Sequence, residues 1–168
     1  MVQRWIEMVG FMIKPKLSLK GRALRYLSMR EHSRHELMRK LSPYVQEGED
    51  LEALLNFLEE SKFLSDQRFS EALVNKRQAR FGNHKIMAEL QSHQLHQDDL
   101  DDLKLELRQT EELRAIALLH RKFSTAPADH REKAKQMQFL AQRGFSSSAI
   151  NVALRASRES LDDNGISH

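Results

Sequence analysis

The chain has 168 residues, Lys and Arg outnumber Asp and Glu by 27 to 24, and cysteine is absent, which excludes disulfides, thiolate catalysis and cysteine-ligated metal. Charged residues make up 30% and apolar residues 40%, with six glycines and three prolines. That is a helix-rich mixture with short connections, so the expected fold class is all-α.

Within the first 17 residues, 1–13 are mildly apolar but carry Arg4 and Glu7, and they lack a sustained hydrophobic run and a small-residue cleavage site. Residues 1–17 read as an N-terminal extension, neither signal peptide nor membrane span, holding the single tryptophan Trp5 and a second candidate start at Met12. Patterned sequence follows. Ser18 caps a helix over 18–29, Ser33 and Glu36 form a capping box for 33–41, and Asp50 starts 50–60. Pro43 ends the second of these, because it removes a backbone donor and clashes with the preceding turn.

Ser65 caps the next helix, 65–81, with Asp66 complementing its dipole and Phe69, Ala72 and Leu73 sharing one face. Gly82 is expected to stop it. Ile86, Met87 and Leu90 then stripe a helix over 83–91, making a helical hairpin with a very short turn. Further helices are expected over 98–107, 111–123, 129–142 and 146–157, with Gly144 stopping the penultimate one and 159–168 a flexible tail.

Sliding the chain by about 49 residues places Ala23-Leu24 on Ala72-Leu73, Leu37 on Ile86, Leu41 on Leu90 and Leu58 on Leu107. A further shift of about 50 places Leu90 on Leu140 and Leu100 on Ile150. Three tandem three-helix repeats follow, over 18–62, 63–108 and 109–158. Units this small bury little surface alone, so they are expected to stack into an elongated, curved array. The candidate core is Leu24, Leu27, Leu37, Leu41, Phe69, Leu73, Ile86 and Leu90.

Enzymatic constellations are missing from the sequence: it has no glycine-rich phosphate loop, nucleophile elbow or helical zinc-protease motif, so no catalytic residue, metal or cofactor is assigned. His32/His35 and His93/His96 have a spacing that can place two imidazoles on one face, but both pairs fall at helix boundaries without a companion ligand. Charge alternates in blocks. Residues 14–45 hold nine Lys/Arg against two Asp/Glu, 46–75 two against eight, 76–92 four against one, 93–112 two against seven, and 113–158 nine against two. The acidic blocks are accounted for by helix starts and solvated faces.

On a helical projection Ala23, Leu24 and Leu27 lie opposite Arg22, Arg25, Tyr26 and Met29, and Arg39 points away from the Leu37–Leu41 stripe. An Arg-Tyr-Met face suits a partner, since these side chains bury area while offering directional donors. Arg30 and Arg34 extend that candidate surface. Lys76, Arg77, Arg80 and Lys85 frame the central hairpin. Arg114, Arg121, Lys122, Arg131, Lys133, Lys135 and Arg143 form the largest basic concentration, with Arg131, Lys133 and Lys135 as the electrostatic footprint for nucleic acid. A duplex-reading helix-turn-helix is the competing interpretation of the hairpin, but Ile86, Met87 and Leu90 leave its short second helix few base-edge readers.

Asp66, Arg68 and Phe69, the basic pair before Gly82 and the Ile86–Leu90 stripe resemble the second repeat of the RecX family, small regulators of the RecA recombinase. Ala23-Leu24, Tyr26-Leu27, Arg30, Ser33, Glu36-Leu37 and Leu41 are similar to that family's first repeat. The likeness covers roughly 18–107 and extends more faintly to about 156, with His93 standing where the pattern leads one to expect glycine. It implies a non-enzymatic, cytoplasmic, monomeric protein that binds the RecA filament on single- or double-stranded DNA, without sequence preference. It further implies inhibition of strand exchange and ATP hydrolysis in recombination, repair and the SOS response.

Overall fold

The computed structural model describes residues 17–95 and 97–158, with only the backbone given for 97–99. Apart from Leu17, the expected N-terminal extension lies outside these, as do the tail and His96. Among the described residues there are eight α-helices, a single 3-10 turn and no strand: α1 Leu19–Met29, α2 Arg34–Leu41, α3 Leu51–Glu60, α4 Asp66–Arg77, α5 Asn83–Ser92, α6 Gln97–Lys122, α7 His130–Ala141 and α8 Ser147–Arg155. No described helix is long and apolar enough to cross a membrane.

Side-chain caps set most of the helix starts. Ser18 accepts from the Gly21 N–H, Ser33 from Glu36, Asp50 from Ala53, Ser65 from Arg68, Asp129 from Glu132 and Ser146 from Ala149. Each satisfies a donor that the first turn leaves unpaired. Pro43 falls in the 3-10 turn Ser42–Tyr44, directly after α2 ends.

The chain divides into two compact units, Met1–Leu64 and Ser65–His168. In the first, Leu19, Ala23, Leu37, Leu41, Leu55, Leu58 and Leu64 form a core. Of the expected core residues Leu37 and Leu41 are fully buried, while Leu24 and Leu27 pack only at its edge. Tyr26 joins them there, 6.0 Å from the His32 ring, so the outward face of α1 reduces to Arg25 and Met29. The physical reason is the buried line Leu19–Ala23, which turns the position three residues on toward α2.

The second unit holds two cores. Val74, Ile86, Leu90, Leu100, Leu103 and Leu107 form one, and Ala115, Leu118, Leu119, Leu140, Phe145, Ala149, Ile150 and Ala153 the other. In α4 the buried face is Phe69, Ser70 and Val74; Leu73 is half-buried and Ala72 exposed. The cap residues explain this departure. Ser18 corresponds to Ser65, an offset of 47 that pairs Ala23 with Ser70 and Leu27 with Val74, whereas the second and third helices keep an offset of 49. Of the two extra residues, one lengthens α4, which has 12 residues against 11 in α1, and one lies in the turn after it.

Gly82 does not stop α4, which ends at Arg77. It is glycine because another backbone crosses it: a Cβ there would sit 2.3 Å from the Phe145 nitrogen and 2.4 Å from the Gly144 carbonyl. The Gly82 N–H donates to the Arg143 carbonyl at 2.9 Å and the His84 N–H to the Gly144 carbonyl at 3.0 Å. Gly144 does end its helix as expected, with φ of +81° and the Phe145 N–H returning to the Leu140 carbonyl. After α5 the left-handed residue is Gln94, φ +53°, rather than His93, which is why position 93 tolerates histidine.

The expected break between helices 98–107 and 111–123 is absent. Arg108, Gln109 and Thr110 continue the helix, and α6 runs unbroken for 26 residues through both cores of the second unit. Thr110 donates its hydroxyl to the Glu106 carbonyl within that run, so its side chain is satisfied without ending the helix.

Candidate functional site

The cationic candidates sort by what holds them. Arg30 forks onto the buried Glu36 carboxylate, which also has His32 and Lys40 nearby. Burial raises the Glu36 pKa, but the Arg30 hydrogen bond and the charges of His32, Arg30 and Lys40 outweigh it, holding the carboxyl below its usual range. Arg34 reaches Glu52 and Glu59 at 2.6 Å each and Asn56 at 2.8 Å, tying α2 to α3. Arg77 grips Glu89 through two hydrogen bonds of 2.8 and 2.7 Å, joining α4 to α5. These three cations are committed to internal carboxylates. Arg22 stacks over the Tyr44 ring at 4.1 Å. Arg25, Arg39, Lys76, Arg131, Lys133 and Lys135 are exposed.

Arg80 and Lys85 have a different setting. With Arg121, Lys122 and Arg143 they line a cleft of about 750 Å³, floored by Phe81, Leu118 and Phe139 and closed by Gln142. It lies within the second unit, between the α4–α5 hairpin, the C-terminal end of α6 and the end of α7. Among the described residues no carboxylate lines it. Arg121 spends one hydrogen bond on the Ala79 carbonyl at 3.4 Å and Arg143 one on the Phe139 carbonyl at 3.1 Å. The Arg143 guanidinium lies 3.8 Å from the Phe139 ring centre, and Arg77 and Lys85 lie over Phe81 at 5.8 and 5.5 Å.

Glu111 and Arg114 fix the walls. Glu111, buried in the middle of α6, accepts from the Asn83 N–H at 2.9 Å, the Ser146 hydroxyl at 2.8 Å and the Ser146 N–H at 3.3 Å. One carboxylate therefore serves the starts of both α5 and α8, where helix dipoles favour negative charge. One turn on, Arg114 donates to the carbonyls of Phe81 and Leu107 and to the Asn83 side chain. Burial lowers the Arg114 pKa, against the opposing pull of Glu111 and Glu106.

Sequence reasoning counted Arg121, Lys122 and Arg143 among the basic concentration but did not pair them with Arg80 and Lys85. The cleft is assembled from three segments, 80–85, 118–122 and 139–143, with no local period to reveal it. The footprint assigned to Arg131, Lys133 and Lys135 is placed on exposed α7 surface and forms no part of the cleft lining. His32 Nδ1 lies 3.0 Å from the Arg30 carbonyl and Nε2 4.0 Å from Glu36.

Fold and site together define an all-α protein of tandem three-helix units that carries a cleft lined, among the described residues, by positive charge alone. Residues 110–154 match the model of the third three-helix domain of RecX. The chain is 56% identical over 151 residues to the regulatory protein RecX of Herminiimonas arsenicoxydans, covering 90% of this chain and all of that one. The identity is 53% over 152 residues with the counterpart from Herbaspirillum seropedicae, covering 90% and 99%. In fold it is similar to the crystal structure of RecX from Lactobacillus salivarius, with a TM-score of 0.67 at 22% identity over 81% of this chain and 92% of that one. The chain belongs to the RecX family.

Proposed function

We propose that this protein binds the RecA recombinase, or its filament on DNA, and restrains ATP hydrolysis and strand exchange in recombination and repair. The observation that supports this most is the 56% identity, over nearly the whole chain, to a relative named as a regulatory protein. It is proposed to act as a cytoplasmic monomer without catalysis of its own. Arg25, Met29 and Arg39, exposed on the first unit, are the proposed protein-contacting residues, with Arg22 and Tyr26 beside them. Contact with DNA is proposed to be independent of sequence, because phosphate contacts position a protein without reading bases.

The test is RecA ATP hydrolysis on excess single-stranded DNA at fixed salt. Inhibition at substoichiometric amounts is expected. If the folded protein leaves the rate unchanged, the regulatory reading falls and a non-sequence-specific DNA-binding role takes its place.

A further inference from the structure

We propose that the cleft walled by Arg80, Lys85, Arg121, Lys122 and Arg143 holds the phosphodiester backbone of a single nucleic-acid strand, an assignment that rests on the filament-on-DNA reading above. The argument begins with charge. Five cations line one concavity with no carboxylate among the described residues that form it, while elsewhere in the chain Arg30, Arg34 and Arg77 are each matched by glutamates. Like charges gathered this closely repel, and hydrogen bonds to the Ala79 and Phe139 carbonyls engage only one donor of Arg121 and one of Arg143. A polyanion neutralises all five.

The aromatic floor indicates how the strand is held. The Phe139 ring is covered by Arg143 on one face and stands perpendicular to Phe123, 5.4 Å between centres. Phe81 is flanked by Arg77 and Lys85. Cations already occupy a face of each ring, so the cleft is suited to sugar–phosphate and leaves the bases unread.

Shape selects a strand over a duplex. A duplex groove admits a protruding helix, and the helix a helix-turn-helix would insert here is α5. Its first turn is tied down: the Asn83 N–H is held by Glu111, the His84 N–H by the Gly144 carbonyl, and Lys85 lies against Gly144. A concave basic cleft is instead the form that tracks a single backbone.

The test uses the full chain without RecA and a fluorescein-labelled oligothymidylate of about 16 nucleotides, followed by anisotropy across a salt series. The double substitution Arg121→Ala/Lys122→Ala, at exposed positions that spare the core, is expected to weaken binding about tenfold or more. It should also shrink the slope of log affinity against log salt by about 0.7 for each phosphate that the variant no longer neutralises. Arg131→Ala/Lys133→Ala is the comparison, expected to change both quantities less. Circular dichroism establishes that each variant is folded. Equal binding by wild type and the cleft variant overturns the proposal, as does tighter binding of a duplex of the same length, or displacement of the strand by polyglutamate at matched charge. Running RecA ATP hydrolysis in parallel separates the two claims: weakened strand binding in the cleft variant, with RecA unaffected even by wild type, retains the cleft and removes the regulator.

Discussion

His32 is 2% exposed, and burial, chiefly, pushes its pKa below the ordinary value near 6.5; the charges of Arg30 and Lys40 add to that, while the Arg30 carbonyl and Glu36 pull the other way. His120 in the second unit is lowered by burial and by Arg158. A lowered folded-state pKa means that the unfolded chain binds the proton more readily. Stability from these residues is therefore fully present above about pH 6.5 and is lost as pH falls below it. The lowered Glu36 adds a second loss only at more acid pH, since its unfolded value is near 4.5. Urea midpoints measured from pH 7.5 to 5.5 should fall, and the fall should be shallower in His32→Gln. An identical slope in that variant would remove His32 from the acid response.

At the scale of the element, α6 carries the largest difference between what the sequence suggests and what the chain does. Glu111 and Glu112 resemble the acidic start of a new helix, and the repeat demands a boundary nearby. No glycine or proline interrupts 97–122, so nothing forces an end, and both apolar stripes are satisfied by one unbroken run. Glu111 is acidic on behalf of α5 and α8 and not of its own helix, a role no local pattern displays. Gln109→Pro should cost about 3 kcal/mol or more, read as a loss of ellipticity and a lower urea midpoint. A proline tolerated at 109 would mean that the two halves of α6 are independent helices. The caps at Ser18, Ser33 and Ser65 and the helix starts at Asp50, Asp129 and Ser146, by contrast, were legible, because a cap is decided within four residues.

For the molecule as a whole, the repeats were readable where apolar residues fix the register and obscured where loops differ. Leu37 with Ile86 and Leu41 with Leu90 are buried equivalents, as the spacing implied. Ala72 is exposed because α4 and the turn after it are together two residues longer than α1 and its turn, and periodicity within a helix carries no information about the length of a turn. The cationic candidates show the same limit. Arg30, Arg34 and Arg77 look like Arg80 in the sequence, and only tertiary approach of Glu36, Glu52, Glu59 and Glu89 distinguishes the paired from the unpaired. Charge blocks predicted where cations are dense; packing decided which of them remain available.

The shared carboxylate at Glu111 also sets an order of events in time. Its bonds to Asn83 and Ser146 join residues 28 and 35 positions away, so they close only after both hairpins have docked on α6, whereas α6 itself is built from local contacts. An interaction absent from the transition state governs escape from the native state and not arrival at it. Glu111→Gln, which exchanges one accepting oxygen for a donor, should therefore accelerate unfolding by about tenfold or more while leaving the refolding limb of the chevron almost unmoved. A slower refolding limb would place the docking of the two hairpins before the barrier. On the expected outcome, one glutamate in the middle of a helix keeps the time for which the cleft stays assembled.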